Sequence, residues 1–254
     1  MLSPSFSPPP LHLALRPDEI HVWFTSLNQP VSRFQMLSQT LSLNEHLRAE
    51  RFHFQKDREH FVVSRGILRT ILGCYLNIEP SWLRFCYGKH GKPALADTFG
   101  KGTVFFSMSD SQRFAIYAFS RDSEIGVDIE QIYNISEMDQ IAERFFSVSE
   151  NAVFRSLPET IKKEAFFNCW TRKEAFIKAI GKGLSQPLDK FDVSLVPGES
   201  AKLLRINGDS KRALRWSIQE LKPASGFVAA LAVKKRSWQL RCWQWGSRLP
   251  RVEH

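Results

Sequence analysis

Two long runs of helical periodicity, each set among short strand-like segments, constrain this chain more than anything else in it. In the first, Phe61, Ser64, Arg65, Leu68, Leu72, Tyr75 and Leu76 fall on one stripe, with Ile67 and Ile71 beside them, which predicts a core helix over 58–76. Gly66 inside that run costs about 1 kcal/mol relative to Ala, so tertiary packing has to hold the segment. The second run, 160–180, is closed by Gly181 and Gly183 in the manner of a C-terminal cap. A helix with one apolar stripe needs a surface to cover, and short strand patterns supply it. They stand at 20–25, 82–87, 103–108 and 114–119 around the first helix. Around the second they stand at 125–129, 191–196, 203–206, 214–219, 227–233 and 238–243. Residues 31–51 read as helical, and 136–146 and 149–157 as short helices opened by serines.

This order predicts an α+β fold made of a pseudo-twofold pair of similar halves, each a small antiparallel sheet packed on a long helix. The expected divisions are a disordered Pro-rich tail over 1–18, an N-terminal half over 19–122, a C-terminal half over 123–246 and a tail over 247–254. No internal repeat proves duplication, so the symmetry rests on element order alone. With 254 residues, 20 Phe and 7 Trp, the chain has apolar surface enough to offset the entropy of ordering, which excludes disorder as its main state. Four scattered cysteines show no zinc or redox spacing. No secretory signal is visible, and the longest apolar run, 227–233, is too short for a bilayer, which needs about 20 residues. A cytoplasmic protein without membrane contact is expected.

Chemistry concentrates in two motifs. In GVDIE, Gly126 to Glu130, the strand period of two projects Asp128 and Glu130 together while Val127 and Ile129 enter the core. Two carboxylates on one side repel unless a cation lies between them, and hard oxygen ligands suit Mg²⁺; a solvated strand face is the plain alternative. In WTRKEAFIKAIGKGL, Trp170 to Leu184, the residues Trp170, Glu174 and Lys178 share one helix face. Glu174 and Lys178 also form an ordinary i,i+4 ion pair, worth about 0.3–0.5 kcal/mol. That pair leaves unexplained why Arg172, Lys173, Lys178 and Lys182 crowd one stretch, as a phosphate site would. YGKHGKPAL supplies Lys89, His90 and Lys92 on a glycine-freed turn, and FSMSDS, 106–111, ends a strand in hydroxyls; each alone is a generic turn.

Together these segments resemble the phosphopantetheinyl transferases of the long, surfactin-synthetase-activating type. That family pairs a G-[VI]-D-[IVL]-E strand with a W-x-x-K-E-[AS]-[FY]-x-K helix ending in G-x-G-L, and the resemblance spans about 48–191. It implies two similar halves with coenzyme A as co-substrate between them. It implies attack of a carrier-protein serine on the β-phosphate of coenzyme A, with release of adenosine 3′,5′-bisphosphate. By position, Asp128, Glu130 and Glu174 would hold Mg²⁺, or Mn²⁺ in its place. Lys178 would neutralise or protonate the leaving phosphate, and Glu174 would take the serine proton, directly or through a metal-bound water. Arg48, Lys89, His90, Gly91, Lys92, Pro93, Ser109, Asp110 and Lys173 fall where the family contacts coenzyme A. Trp170 is expected to pack rather than bind, and Arg65 is a further candidate phosphate partner. The implied partners are apo acyl or peptidyl carrier proteins, and the chain is expected to act as a monomer.

The family pattern F-N-x-S-H-S is broken here: Ser107 replaces Asn, and Asp110 replaces His. An aspartate beside phosphate adds like charge and should weaken coenzyme A binding unless a neighbouring cation compensates. Two other classes compete. Net charge +9 suggests single-strand nucleic-acid binding, and the acids alone would serve a metal-dependent phosphohydrolase. The charge is uneven: residues 1–123 balance at +4, 124–199 at −4 and 200–254 at +9. The motifs therefore lie in the acidic stretch. The basic one, with Lys234, Lys235 and Arg236, reads as a surface that attracts acidic carrier domains rather than nucleic acid.

Overall fold

A computed structural model describes residues 5–96, 98 and 104–246. The chain begins with β1 (Glu19–Ser26), α1 (Val31–Ser38), α2 (Leu43–Ala49) and α3 (Gln55–Leu76), then β2 (Phe85–Tyr87), β3 (Pro93–Leu95), β4 (Phe105–Ser111) and β5 (Phe114–Ser120). It continues with β6 (Ile125–Gln131), α4 (Met138–Phe145), α5 (Val148–Ser156), α6 (Glu159–Ile180), β7 (Phe191–Val193) and β8 (Leu203–Ile206). After these come α7 (Ser210–Ala213), β9 (Ser217–Leu221), β10 (Phe227–Val233) and β11 (Gln239–Gln244). The expected mixed α+β character holds. The helical stretch 31–51 is two helices, because Ser42 and Glu45 form a capping box that starts α2 afresh. A second box, Ser147 with Glu150, starts α5 one residue before the expected position, whereas α4 has no side-chain cap.

Strand alternation builds the layers. On β1, Trp23 faces α3 with Tyr117 and Phe119 of β5, while Ile20, Val22 and Phe24 point the other way. They meet Val127 and Ile129 of β6 and Leu231 of β10 in a core between the two sheets. The opposite side of β10, Val228, Ala230 and Ala232, packs under α6 with Phe166 and Phe176. The order is helix, sheet, sheet, helix.

The first sheet runs β11-β1-β5-β4 and the second β6-β10-β9. β11 lies parallel to β1, with Val22 opposite Cys242. This corrects two expectations: the first sheet is mixed rather than antiparallel, and the last strand of the expected C-terminal half completes the N-terminal sheet. The Pro-rich start also differs from a loose tail. Ser7 donates its N–H to the Cys242 carbonyl at 3.2 Å, the Phe6 ring lies 5.4 Å from that of Phe24, and Leu15 is buried. These contacts bury apolar area that a free tail would leave in water. The expected tail over 247–254 and residues 1–4 lie outside the described residues.

Gly126 sets the distance between β6 and α6. A Cβ there would stand 2.0 Å from the Ala175 carbonyl oxygen and 2.3 Å from the Ala179 nitrogen. Gly126→Ala should therefore force strand and helix apart and cost about 3 kcal/mol in urea unfolding; a loss below about 1 kcal/mol would mean that the contact yields easily.

Candidate functional site

Asp128 and Glu130 leave β6 on the α6 side, as the strand period requires, and meet Lys178 and Glu174 there. Lys178 Nζ donates to Asp128 Oδ1 at 2.7 Å and to Ser109 Oγ at 2.8 Å, and Ser109 donates to the same carboxylate oxygen at 2.8 Å. The second Asp128 oxygen, Oδ2, is buried and has no hydrogen-bond partner among the described residues. Glu130 accepts from Ser111 Oγ at 3.1 Å. Glu174 is half-buried on α6 and makes no hydrogen bond to the described residues. Its carboxyl is raised above the ordinary range by burial and then by the charge of Asp128, with Lys178 opposing.

The serines of β4 join the two sheets edge to edge. Ser107 Oγ accepts the Val127 N–H at 3.1 Å, and Ser111 Oγ accepts the Gln131 N–H at 3.1 Å. Between them Ser109 bonds Asp128, so three alternate serines of β4 serve two backbone N–H groups and two carboxylates of β6. Ser107, standing where the family has Asn, thus satisfies a backbone donor. Ser107 and Ser111 were not among the expected site residues, although the S-x-S-x-S alternation in 107–111 was the available signal.

Other expected ligands part company. Arg172 and Lys173 do not join a phosphate cluster. Lys173 is fully buried, with Nζ donating to the Leu188 and Phe191 carbonyls at 2.7 and 2.8 Å and pairing with Glu150 at 2.7 Å. Arg172 donates to the Ser194 carbonyl and to Glu220, both at 2.8 Å. A rotation of about 100° per residue carries both away from the face that holds Glu174 and Lys178. Lys92 is also engaged: its Nζ donates to the carbonyls of Ile125 at 2.9 Å and Lys178 at 2.6 Å. Burial pushes its pKa down to about 8. It caps the C-terminal turn of α6, where a cation is favoured, and so anchors the Gly91–Pro93 turn beside Lys178 instead of facing a ligand. Lys89, His90 and Gly91 are exposed, and the His90 side chain lies against Gly183 and Ser185. Trp170 packs, stacking on Phe166 at 6.2 Å.

Asp110, next to Ser109, points to the opposite side of β4, toward α3. It lines a cavity of about 500 Å³ with Arg48, His60 and Arg65. Arg48 also lines a neighbouring cavity of about 600 Å³ with Arg51, Arg84 and Tyr87. Burial raises the Asp110 carboxyl, against the nearby charges of Lys178, His60 and Arg65.

Two family models match the chain. The N-terminal 4′-phosphopantetheinyl transferase model matches residues 26–122, and the 4′-phosphopantetheinyl transferase superfamily model matches 124–232. The 4′-phosphopantetheinyl transferase HetI of Nostoc sp. is 41% identical over 245 residues, covering 96% of this chain and 100% of that protein. This chain belongs to the 4′-phosphopantetheinyl transferase superfamily. The 4′-phosphopantetheinyl transferase Sfp of Bacillus subtilis is 35% identical over 58% of this chain and 63% of that one. The human L-aminoadipate-semialdehyde dehydrogenase-phosphopantetheinyl transferase is 29% identical over 74% and 65%. The chain is thus a phosphopantetheinyl transferase, as the paired motifs imply.

The three carboxylates form no closed cage: among the described residues, no three His, Cys, Asp or Glu side chains stand together as a metal site. They nevertheless fit Mg²⁺, which takes one or two carboxylates and completes its shell with phosphate oxygens and water. The unpartnered Asp128 Oδ2 and the charge repulsion felt by Glu130 both ask for a cation.

Two outcomes follow. Burial, and next the Asp128 charge, push Glu130 up to about 7 from an ordinary 4.5. The folded protein then keeps a proton that the unfolded chain releases, a stabilisation present below pH 4.5 and lost as pH rises through about 7. Between about pH 5 and about pH 8, metal-free protein should lose stability relative to its Glu130→Gln variant in urea titrations; a constant difference would show no such coupling. Separately, Lys173→Met leaves Glu150 buried without its cation and should cost about 3–5 kcal/mol in denaturant unfolding, whereas a ligand-facing lysine would cost almost nothing.

Proposed function

We propose that this chain transfers the 4′-phosphopantetheine arm of coenzyme A to a serine hydroxyl of an apo acyl or peptidyl carrier protein, releasing adenosine 3′,5′-bisphosphate. The observation that carries this reading is the convergence at the β4–β6 seam. There a lysine from α6, a carboxylate with one unpartnered oxygen and an unbonded glutamate come together. Phosphoryl transfer needs chiefly positioning and charge neutralisation, and this set supplies both.

Asp128 and Glu130, with Glu174, would hold Mg²⁺. When bound, the metal would neutralise the diphosphate oxygens of coenzyme A. Glu174 accepts the serine proton as the serine oxygen bonds to the β-phosphate and the bond to the adenylate phosphate breaks. Its carboxylate has no competing hydrogen bond, and its raised pKa makes it a stronger base than a surface glutamate. Lys178, held by Asp128 and Ser109, faces the leaving phosphate and offsets its charge. Ser109 positions both partners. The pseudo-twofold reading of the fold is supported by the two 22-residue helices, α3 and α6, each backing its own sheet. A single chain builds the whole seam, which supports action as a monomer.

The excess charge of 200–254 is partly neutralised: Lys234 pairs with Glu124, Lys235 with Asp122, Arg205 with Asp192 and Arg241 with Glu19. This disfavours the nucleic-acid reading, and it leaves Lys234 and Lys235 less suited to steering a carrier than expected.

Incubation with coenzyme A, Mg²⁺ and apo carrier proteins, read by intact mass, should show the added arm. Asp128→Ala and Glu174→Ala should lower the rate by at least about 100-fold, and Lys178→Met by a similar factor. No addition on any carrier class by folded protein rejects the reading, and turnover of a simple phosphodiester without carrier would favour a phosphohydrolase.

A further inference from the structure

Each half of the chain holds the same buried charge clamp. In the first, Glu45, the capping-box glutamate that opens α2, pairs with Arg69 of α3 at 2.7 Å, and Arg69 Nη1 donates to the Pro80 and Leu83 carbonyls at 2.8 and 3.1 Å. In the second, Glu150, the capping-box glutamate that opens α5, pairs with Lys173 of α6 at 2.7 Å, and Lys173 Nζ donates to the Leu188 and Phe191 carbonyls at 2.7 and 2.8 Å. Both times the two carbonyls belong to the first residue of a single 3₁₀ turn, Pro80–Trp82 or Leu188–Lys190, and to the residue just after it. Each cation also lies over the phenylalanine that begins the next strand, Arg69 over Phe85 of β2 and Lys173 over Phe191 of β7.

Arg69 is 1% exposed and Lys173 0%, and taking such cations out of water costs as much free energy as their ion pairs return. What each pair supplies is geometry: a carboxylate and two carbonyls, all from outside the long helix, pin one side of it against rotation. The two clamps differ in what stands beside them. One and five residues past Lys173 come Glu174 and Lys178, whereas the same places past Arg69 hold Thr70 and Cys74. Thr70 turns back on its own helix, its Oγ1 donating to the Gly66 carbonyl at 2.8 Å. Glu174 and Lys178 lie about 100° and about 140° round α6 from Lys173, so the bonds that pin Lys173 dictate where both point. On a helix of about 6 Å radius, a rotation of about 10° moves a side-chain tip by about 1 Å. A misplacement of that size at a reacting group costs about 100-fold in rate.

We infer that Lys173 and Glu150 are positioning residues, whose clamp sets the rotation of α6 that brings Glu174 and Lys178 to Asp128. This rests on the function proposed above. Glu150 holds the far end: it accepts the Val193 N–H and the Ser147 N–H, each at 2.7 Å, so the clamp is anchored on β7 and on the start of α5. Gly126 sets how near α6 comes to the strand, and Lys173 sets which way it faces. The Arg69 clamp is the same device beside no reacting group, which makes it an internal control.

The test compares wild type with Lys173→Arg, Glu150→Gln and Arg69→Lys in the carrier-loading assay, varying coenzyme A at saturating Mg²⁺ and at a temperature where circular dichroism shows each protein folded. Lys173→Arg keeps the charge but replaces a compact ammonium with a planar fork, so α6 has to shift to seat it. Its kcat should fall by about 10-fold to about 100-fold with KM for coenzyme A changed less than about threefold. Arg69→Lys should leave kcat within about threefold, whatever it does to the melting temperature. Amide hydrogen exchange over 174–178, followed by NMR, needs neither coenzyme A nor carrier. It should speed up at least about 10-fold in Lys173→Arg and hold in Arg69→Lys. Unchanged kcat in folded Lys173→Arg overturns the inference. An equal fall of kcat in Arg69→Lys does so as well, by showing that loosening either clamp slows the enzyme through general destabilisation. If Lys173→Arg does not fold, Glu150→Gln, which keeps the shape and removes the charge, decides by the same split between kcat and KM. Wild type that loads no carrier defeats the transferase reading, and the exchange rates then decide this one: equal rates at 174–178 in wild type and Lys173→Arg overturn it.

Discussion

The close approach of β6 to α6 at Gly126 is the constraint on which the site depends. A strand and a helix pack at a distance set by the side chains between them, and here one position carries none. The result is that acids leaving the strand two and four residues later meet helix side chains instead of water. Helical rotation then sorts the helix residues, sending Glu174 and Lys178 toward the strand while Arg172 and Lys173 turn into the opposite core. One missing methyl group thereby helps decide which of several neighbouring charges meets the carboxylates of the strand.

Across the seam, side chains do what a backbone ladder would otherwise do. β4 and β6 are edge strands of separate sheets, and their facing groups are satisfied by the hydroxyls of Ser107, Ser109 and Ser111. Such a joint satisfies buried polar groups while keeping the two backbones a side chain apart. The same joint orients Asp128 and Glu130, so the element that holds the halves together also aims the acids. Lys92 adds a second tie, from the turn between β2 and β3 to the end of α6.

Much of this was legible in the sequence, for identifiable reasons. The period of two in GVDIE correctly separates Asp128 and Glu130 from Val127 and Ile129, and the Gly181 cap marks the end of α6. What was not legible is direction and partner. The cations of 172–182 look like a cluster when written in a line and are dispersed around the helix. Lys92 belongs to a ligand-contact motif, but three buried carbonyls compete for its ammonium and win. Local alternation identifies 238–243 as a strand and cannot say that it pairs with a strand more than 200 residues earlier. Likewise the basic surplus of 200–254 is real in composition, but folding brings Glu19, Asp122 and Glu124 alongside it.

The parallel pairing of β11 with β1 bears on how the molecule comes into being. During synthesis, β1 emerges early, yet its neighbour on one side arrives only with residues 239–244, some 200 residues later. Until then the first sheet has an open edge, and contacts of such long sequence separation form slowly. The two halves are therefore not successive folding units. β1 must keep that edge open until β11 is made, and the N-terminal sheet is complete only when a strand from beyond the second sheet joins it.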